Sequence, residues 1–558
     1  MSDLLDSPVE VGGGLAVYGT ATADPGGQVR AKLATDKVAG LLVAQDPTLW
    51  GPAAEEVARV RLGWLDTFRK SRALVPQLAQ LRSELADLTT VVLCGMGGSS
   101  LAPEVICRTL GIPLAVLDTT DPTQIRATMY GGHAPDSAEA GELLRRTVVV
   151  LASKSGSTVE TDSHRRLFWQ ALLDLGLSEA EASRHFVVVT DPGSPLETTG
   201  REYGMVVINA DPDVGGRYSA LTAFGLVPAA LAGVDIAELL DQAEALAQTL
   251  GADRENPALA LGAALGAAAQ AGRDKLALVD DGTGIVGLGD WAEQLIAEST
   301  GKTGTGILPV VVETPDAPGV TGPGVIAATV GGALAAGAVP AAGVAADLAV
   351  NGPLGAQFLA WEFAVPVASR VLGVEPFDQP NVAESKENTN RILTEGLPEE
   401  TALFTAGPLA VFAPAEAGTD LPGVLWWLLE QIPPTGYLAV MAYLDRFGDA
   451  DIHGLRPALA AASRKPVTFG WGPRFLHSTG QYHKGGPQVG CFLQITGAVS
   501  DDLSVPGRPY TFGRLIAAQA AGDREALSSR SRPLVHVHLT DRQAGVNALL
   551  DAAAHLRS

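Results

Sequence analysis

The sequence predicts an α/β protein in which two doubly wound parallel-sheet domains are followed by a C-terminal α/β domain. Short runs rich in β-branched residues end in Gly, Ser or Asp, and helical patterns separate them. That alternation is the signature of parallel sheets covered on both faces. The theme then restarts further along the chain. With 46% hydrophobic and 18% charged residues over 558 positions, there is enough apolar side chain for several cores. Length alone suggests about three or four domain-sized units.

Residues 1–75 read as a helical N-terminal extension, because Ala54–Lys70 (AEEVARVRLGWLDTFRK) spaces its apolar residues as one face of a helix. Residues 76–235 form the first sheet domain. Its expected strands are TTVVLCG (Thr89–Gly95), LAVLDTTD (Leu114–Asp121), RTVVVLASKSG (Arg146–Gly156), HFVVVTDPGS (His185–Ser194) and GMVVINADPD (Gly204–Asp213). Residues 236–396 form the second. Helices at Ile236–Leu250 and Asn256–Lys275 lead into the strand Leu276–Asp280, a helix at Trp291–Ser299 stops at Gly301, and Ile307–Thr314 is another strand. Residues 397–558 repeat the pattern with strands at Tyr437–Leu444, Val467–Trp471, Val489–Thr496 and Leu534–Leu539. There is no strict short repeat, although two or three related α/β units fit the spacing. The uncharged stretch Ala317–Ala346 is Ala/Gly-rich and broken by Pro318, Pro323 and Pro340, so it reads as packed core, not as a membrane span.

Charge and cysteine usage narrow the function. Against 39 Lys and Arg stand 62 Asp and Glu, a formal charge of −23. That balance excludes a broad surface for nucleic acid or anionic membrane, while leaving room for a local phosphate pocket. Cys94, Cys107 and Cys491 supply neither a disulfide framework nor a Cys-x-x-Cys metal pair, which points to a reducing cytoplasm. The acidic start MSDLLDSPVEVGGG lacks the basic and apolar segments of a signal peptide.

Two loops follow expected strands directly. Gly95-Met96-Gly97-Gly98-Ser99-Ser100 lets backbone N–H groups approach an anion at a helix N-terminus. A dinucleotide fingerprint is the competing reading, with Asp118 near the ribose position, but Ser100 replaces the third glycine. A tight turn without a ligand is a further reading. The second loop, Ser153-Lys154-Ser155-Gly156-Ser157-Thr158, gathers four hydroxyls and a lysine, which suits a phosphomonoester. Ser157 and Glu160 also satisfy the capping-box spacing of ordinary helix initiation. Gly301-Lys302-Thr303 resembles the end of a P-loop, but Ile296 stands where the first glycine is needed, and a helix precedes it.

Glu298 lies in the last turn of a helix that Gly301 is expected to cap. There the negative end of the helix dipole raises a carboxyl pKa, as a general base working near neutrality needs; a solvated helix-end Glu is the plain alternative. Arg217 follows Gly215-Gly216, a pair that can bring its guanidinium to a buried ligand or leave it in a surface turn. His477 and His483 fall in the Gly/Pro-rich GPRFLHSTGQYHKGGP, where α/β proteins place function. Their spacing could fit a zinc pair, but no further ligands are nearby. His536 and His538 share one face of a strand and read as packed.

GMGGSS, SKSGSTVET, GGRYS, AESTGK and PFDQPNVAESK occur in an order that resembles the phosphoglucose isomerase family, built on sugar-isomerase (SIS) domains. The resemblance covers residues from about 85 to 395, and the late loop resembles the actinobacterial branch, in which the isomerase can be fused to a transaldolase. No upstream barrel for a transaldolase is evident. The resemblance implies two SIS-type domains and interconversion of glucose 6-phosphate and fructose 6-phosphate through a cis-enediol, a step of glycolysis and gluconeogenesis. Ser153, Ser155, Ser157 and Thr158 would hold the phosphate, with Gly98 and Ser99 nearby. Glu298 would move the proton between C1 and C2, Arg217 would stabilise the developing oxyanion, and Lys386, with Gln379 beside it, would assist ring opening. It implies a small sugar phosphate as partner, a homodimer, a cytoplasmic location, and neither metal nor cofactor, since only protons move. Acceptance of mannose 6-phosphate, or a non-catalytic sugar-phosphate-binding role, are the alternatives. One departure stands out: no histidine lies between Glu298 and Lys386, where the family's ring-opening histidine is expected. His477 and His483 are the candidates to replace it, with a non-histidine group as the other possibility.

Overall fold

The computed structural model describes residues 9–335, 338–341 and 346–556. Its first element corrects the expected all-helical extension: β1 (Glu10–Gly12) and β2 (Leu15–Tyr18) form a hairpin. Gly13 and Gly14, at φ 56° and 80°, supply the turn that a side chain would resist. Leu15 and Val17 are buried while Ala16 and Tyr18 are only half so, a strand alternation that the helical signal further on conceals. Short helices follow to residue 75 and beyond.

The first sheet comprises β3 (Thr90–Gly95), β4 (Ala115–Leu117), β5 (Thr147–Ala152), β6 (Phe186–Thr190) and β7 (Val206–Asn209). All pairings are parallel, in the order β4-β3-β5-β6-β7. Every residue of β5 and β6 is buried, as both faces of a doubly wound sheet require. Strand order reverses between β3 and β5. The loops that leave these two strands therefore flank the crevice where such sheets bind ligands. They are the two Gly/Ser loops singled out in the sequence.

The second sheet contains β8 (Lys275–Asp280), β9 (Leu308–Val311), β10 (Val325–Gly331) and β11 (Leu348–Asn351), in the order β1-β2-β11-β10-β8-β9. The N-terminal hairpin closes its edge, with Tyr18 antiparallel to Ala349. The third sheet contains β12 (Phe404–Ala406), β13 (Leu409–Phe412), β14 (Tyr437–Tyr443), β15 (Val467–Trp471), β16 (Gly490–Gly497) and β17 (Leu534–Leu539). Its order, β12-β13-β17-β16-β14-β15, is the same plan: a hairpin, then the last, third, first and second of four parallel strands. The second and third units are topological repeats.

The uncharged stretch after Ala317 includes the buried strand β10; its residues 336–337 and 342–345 lie outside the described residues. Among the described residues no helix is long and apolar enough to cross a membrane.

Four helices carry or brace the site: α1 (Val159–Asp174), α2 (Leu288–Thr300), α3 (Val382–Glu395) and α4 (Phe512–Ser528). The third unit packs on both others. Leu503, Val505 and Phe512 join the core on one face of the first sheet, and Tyr437, Met441, Tyr443 and Phe475 share a core with Ala277, Val279 and Leu308 of the second. Helix α3 lies on α4, where Asn388 Nδ2 donates to Gly522 O at 3.4 Å and Arg530 grips Glu384 through two bonds of 2.9 and 2.5 Å.

Candidate active site

The loop after β5 is shaped by its own hydroxyls. Ser153 Oγ lies 2.7 Å from Thr158 Oγ1, Ser155 Oγ lies 3.0 Å from Ser157 Oγ, and Gly156 N donates to Ser153 Oγ at 3.1 Å. Gly156 sits at φ 68°, and a side chain there would strike Leu196 N and Ser194 Cβ, both 2.8 Å from an added Cβ. Ser155 and Ser157 are exposed, so the loop offers hydroxyls and a helix N-terminus to an incoming anion. Lys154 is not part of that offer: its Nζ is bound 2.6 Å from Asp191 Oδ2.

The expected capping box does not form. Thr158 is the N-cap of α1 and its side chain makes no capping bond. Glu160 is instead buried and reaches the third unit. Its Oε1 accepts from Gln519 Nε2 at 2.7 Å and lies 3.2 Å from His477 Nε2. Gln519 Oε1 in turn accepts from Thr120 Oγ1 at 2.6 Å. Burial alone would raise the Glu160 pKa, but His477 outweighs it and holds the carboxyl below its ordinary range. Tertiary partners have thus taken a side chain whose local spacing advertised a cap.

The loop after β3 positions the next part. A Cβ on Gly98 would lie 2.0 Å from Gly216 O, so only glycine lets this loop touch the Gly215–Tyr218 turn. Ser99 is buried beside it, and Ser100 Oγ donates to Asp118 Oδ2 at 3.3 Å. Asp118 also pairs with Arg474 at 3.0 Å, so the acid at the ribose position is bound within the protein.

Arg217, 4% exposed, is held at every nitrogen. Nε donates to Ser299 Oγ at 2.9 Å, Nη1 to Glu298 Oε2 at 3.0 Å and Gln379 Oε1 at 2.9 Å, and Nη2 to the carbonyls of Pro376 and Asp378 at 2.7 and 2.9 Å. The surface-turn reading of Arg217 is set aside by this burial. Lys302 steadies the same carbonyl loop through Asp378 Oδ1 at 2.7 Å, giving the residue of the false P-loop a bracing role.

Glu298, on α2, is buried and its pKa is raised. Burial is the main cause, opposed by Arg217, so the direction expected from the sequence holds while the helix-dipole reason gives way to desolvation. Gly301 does cap α2, but at φ −77°, not left-handed. It is glycine because a Cβ would lie 2.6 Å from Ala297 O and 2.7 Å from Tyr482 Cα.

Of the residues expected in the site, Arg217, Glu298 and Gln379 are in direct contact. His477 contacts Glu160 at the start of α1 and lies within electrostatic reach of Glu298. Lys386, exposed on α3, acts electrostatically on Glu160. His483 is placed elsewhere. Its ring is buried among Tyr437, Phe475 and Phe492, both nitrogens lack a hydrogen-bond partner, and burial pushes its pKa well below the ordinary value. That apolar cage removes it from any proton transfer with Glu298. His536 and His538 share Thr496 Oγ1 as a partner at 2.9 Å, as packed strand residues do. Among the described residues no group of three His, Cys, Asp or Glu side chains is arranged to hold a metal ion.

Residues 82–303, which contain both loops, Arg217 and Glu298, match the family model described as phosphoglucose isomerase. That segment is similar to the phosphoglucose isomerase family. A probable glucose-6-phosphate isomerase of Haloarcula marismortui is 33% identical over 229 residues, covering 40% of this chain and 50% of that protein. A glucose-6-phosphate isomerase of Citrifermentans bemidjiense is 36% identical over 223 residues, covering 38% of this chain and 40% of that protein. The matches thus span half or less of these relatives' length. The crystal structure of a glucose-6-phosphate isomerase from Chlamydia trachomatis shares the fold, with a TM-score of 0.50, 18% identity, and coverage of 69% of this chain and 90% of that one. Gln379, Lys386 and His477 lie beyond the matched phosphoglucose isomerase segment.

The sequence does not mark Glu160 or Gln519 as site residues. Glu160 carried only the capping signal, and Gln519, one polar residue inside a helix, carried none.

Proposed function

We propose that this chain is an aldose–ketose isomerase that interconverts glucose 6-phosphate and fructose 6-phosphate. The observation that carries the reading is the buried Arg217–Glu298 pair, with the exposed Gln379 bonded to the same guanidinium, set beside a Ser/Thr loop at the sheet's switch point. The substrate phosphate rests on the hydroxyls of Ser153, Ser155, Ser157 and Thr158 and on the N-terminus of α1, with Gly98 and Ser99 at the border. His477, oriented by Glu160, exchanges the proton of the ring-opening step, and Lys386 assists from α3. Glu298 then takes the C2 proton of the aldose and returns it to C1. Its carboxylate is a stronger base for being desolvated, and Arg217 stabilises the charge that develops on the enediolate oxygen. Gln379, fixed by Arg217, positions the sugar.

A homodimer in the cytoplasm is the setting that the family resemblance implies. Neither enters this mechanism, since every group named lies within one chain.

The test is a coupled assay with fructose 6-phosphate, run with chelator present on wild type and Glu298→Gln. Turnover by wild type and its loss in the variant is the expected result. Absence of turnover in a folded wild type refutes the isomerase; full activity in Glu298→Gln refutes the base.

A further inference from the structure

A cleft of about 900 Å³ opens on the outer side of the Ser/Thr loop. Ser153, Ser157 and Thr158 form one end. From there it runs along the first turns of α1, between the C-terminal half of α3 and the segment of the third unit that precedes and begins α4. Neither Glu298 nor Arg217 lines it.

Its walls carry an excess of positive charge that the chain as a whole lacks. Arg165, Arg166, Arg508 and Arg514 line the cleft, against one carboxylate, Asp162. Asp162 accepts from three of them: Arg165 Nη2 at 2.8 Å, Arg166 Nε at 2.7 Å and Arg508 Nη2 at 2.8 Å. One carboxylate cannot neutralise three guanidinium groups. Burial would raise its pKa, yet these bonds outweigh burial and hold it at about 2. Arg514 has only a marginal contact, Nη2 to Leu393 O at 3.5 Å. Arg165 is 6% exposed, and the Thr161 hydroxyl, 1% exposed and lining the cleft, has no hydrogen-bond partner. A buried arginine, an unpaired buried hydroxyl and three surplus positive charges describe a site built for an anion, next to a loop already suited to one.

The helix sets the spacing. At 1.5 Å per residue, Asp162 and Arg166 lie about 6 and 12 Å along α1 from Thr158. A single phosphate cannot span that distance.

We propose that the cleft is a second phosphate subsite, continuous with the Ser/Thr loop, and that it takes a small molecule bearing two separated phosphate groups. One phosphate occupies the loop and the other meets the arginines. Because the loop is shared, such a ligand excludes a sugar monophosphate from the active site and acts as a competitive regulator. Direct binding is a separate question from the isomerase reading, so the two can fail independently.

The experiment is calorimetry on the full chain at fixed ionic strength, with inorganic tripolyphosphate and orthophosphate as probes. Tripolyphosphate is expected to bind wild type at least about tenfold more tightly than orthophosphate, the scale of one or two charge-assisted bonds. Arg508→Gln with Arg514→Gln is expected to reduce that advantage to about threefold or less, with Arg514→Gln alone as the milder variant if the pair melts early. A control pair on exposed arginines outside the cleft, Arg59→Gln with Arg201→Gln, is expected to keep the advantage. Equal binding of the two probes by wild type, an undiminished preference in the Arg514 variants, or an equal loss in the control pair each overturns the proposal.

Discussion

The second and third units share one strand plan and use it differently. In the second, the helix between its first two parallel strands, α2, delivers Glu298 to the site. In the third, the corresponding helix, Leu455–Ser463, sends Arg456 to Glu313 of the second unit, with bonds of 2.6 Å from Nε and 3.1 Å from Nη1 to Pro318 O. It serves only as a joint. The third unit's contribution comes from the next connection, Gly472–Val489, which presents His477 to Glu160, Ser478 to Glu293 and Gln481 to the carbonyl of Gly301. A repeated scaffold thus places Glu298 from one copy and His477 from the other, the two residues proposed above as base and ring-opening group. Topology fixes where connections emerge, and side chains decide which of them does chemistry.

Breaking the second unit's share should have the largest effect. Glu298→Gln keeps the bond to Arg217 but abolishes the base, and kcat is expected to fall by about 10³-fold in the coupled assay. In wild type, the acid limb of kcat/KM is expected above the ordinary carboxylate value of 4.5, because folding raises the Glu298 pKa.

The third unit's share is tested by its two histidines. His477→Ala is expected to slow turnover of cyclic glucose 6-phosphate by about 10- to 100-fold. His483→Phe is expected to leave turnover at the wild-type level without lowering the melting temperature, since it removes two unpaired ring nitrogens from an aromatic cage. A large loss of activity in folded His483→Phe, with none in His477→Ala, would reverse the assignment.

The seam between the units titrates. Glu293, buried and accepting from Ser478 Oγ at 2.9 Å, has its pKa pushed up to about 8 by burial, then by Asp290. Between the ordinary carboxylate range and about 8, the folded state therefore holds a proton that the unfolded chain has lost. Stability should fall as pH rises through that window, by on the order of 1 kcal/mol per unit. Glu293→Gln should flatten that slope in denaturant titrations across the same range. A smaller loss than that of His477→Ala is expected of Gln519→Leu, which unclamps Glu160 and should lower kcat about threefold with KM unchanged.

Much of this was legible in the sequence because it is local. The strands after which the Gly/Ser loops emerge, the hydroxyl cluster, and Arg217 and Glu298 as a pair worth testing all follow from short stretches. What the sequence hid depends on distant segments. The strand that holds Leu15 and Val17 is built into a sheet by β11, more than 300 positions away. Glu160 fits a capping box until His477 and Gln519, both more than 300 positions away, claim its carboxylate. His477 and His483 are indistinguishable in composition and setting, and only packing sends one ring to a carboxylate and the other into an aromatic cage.

The N-terminal hairpin also bears on how the chain folds. β2 is synthesised long before its partner β11, so the side of β2 that β11 will cover must wait unpaired while the first sheet and three further strands are made. Closing so long a loop is entropically slow, and an apolar edge left open invites association with other chains. The second sheet therefore cannot be completed until β11 is made, well after the first sheet, and should depend on protection during that interval.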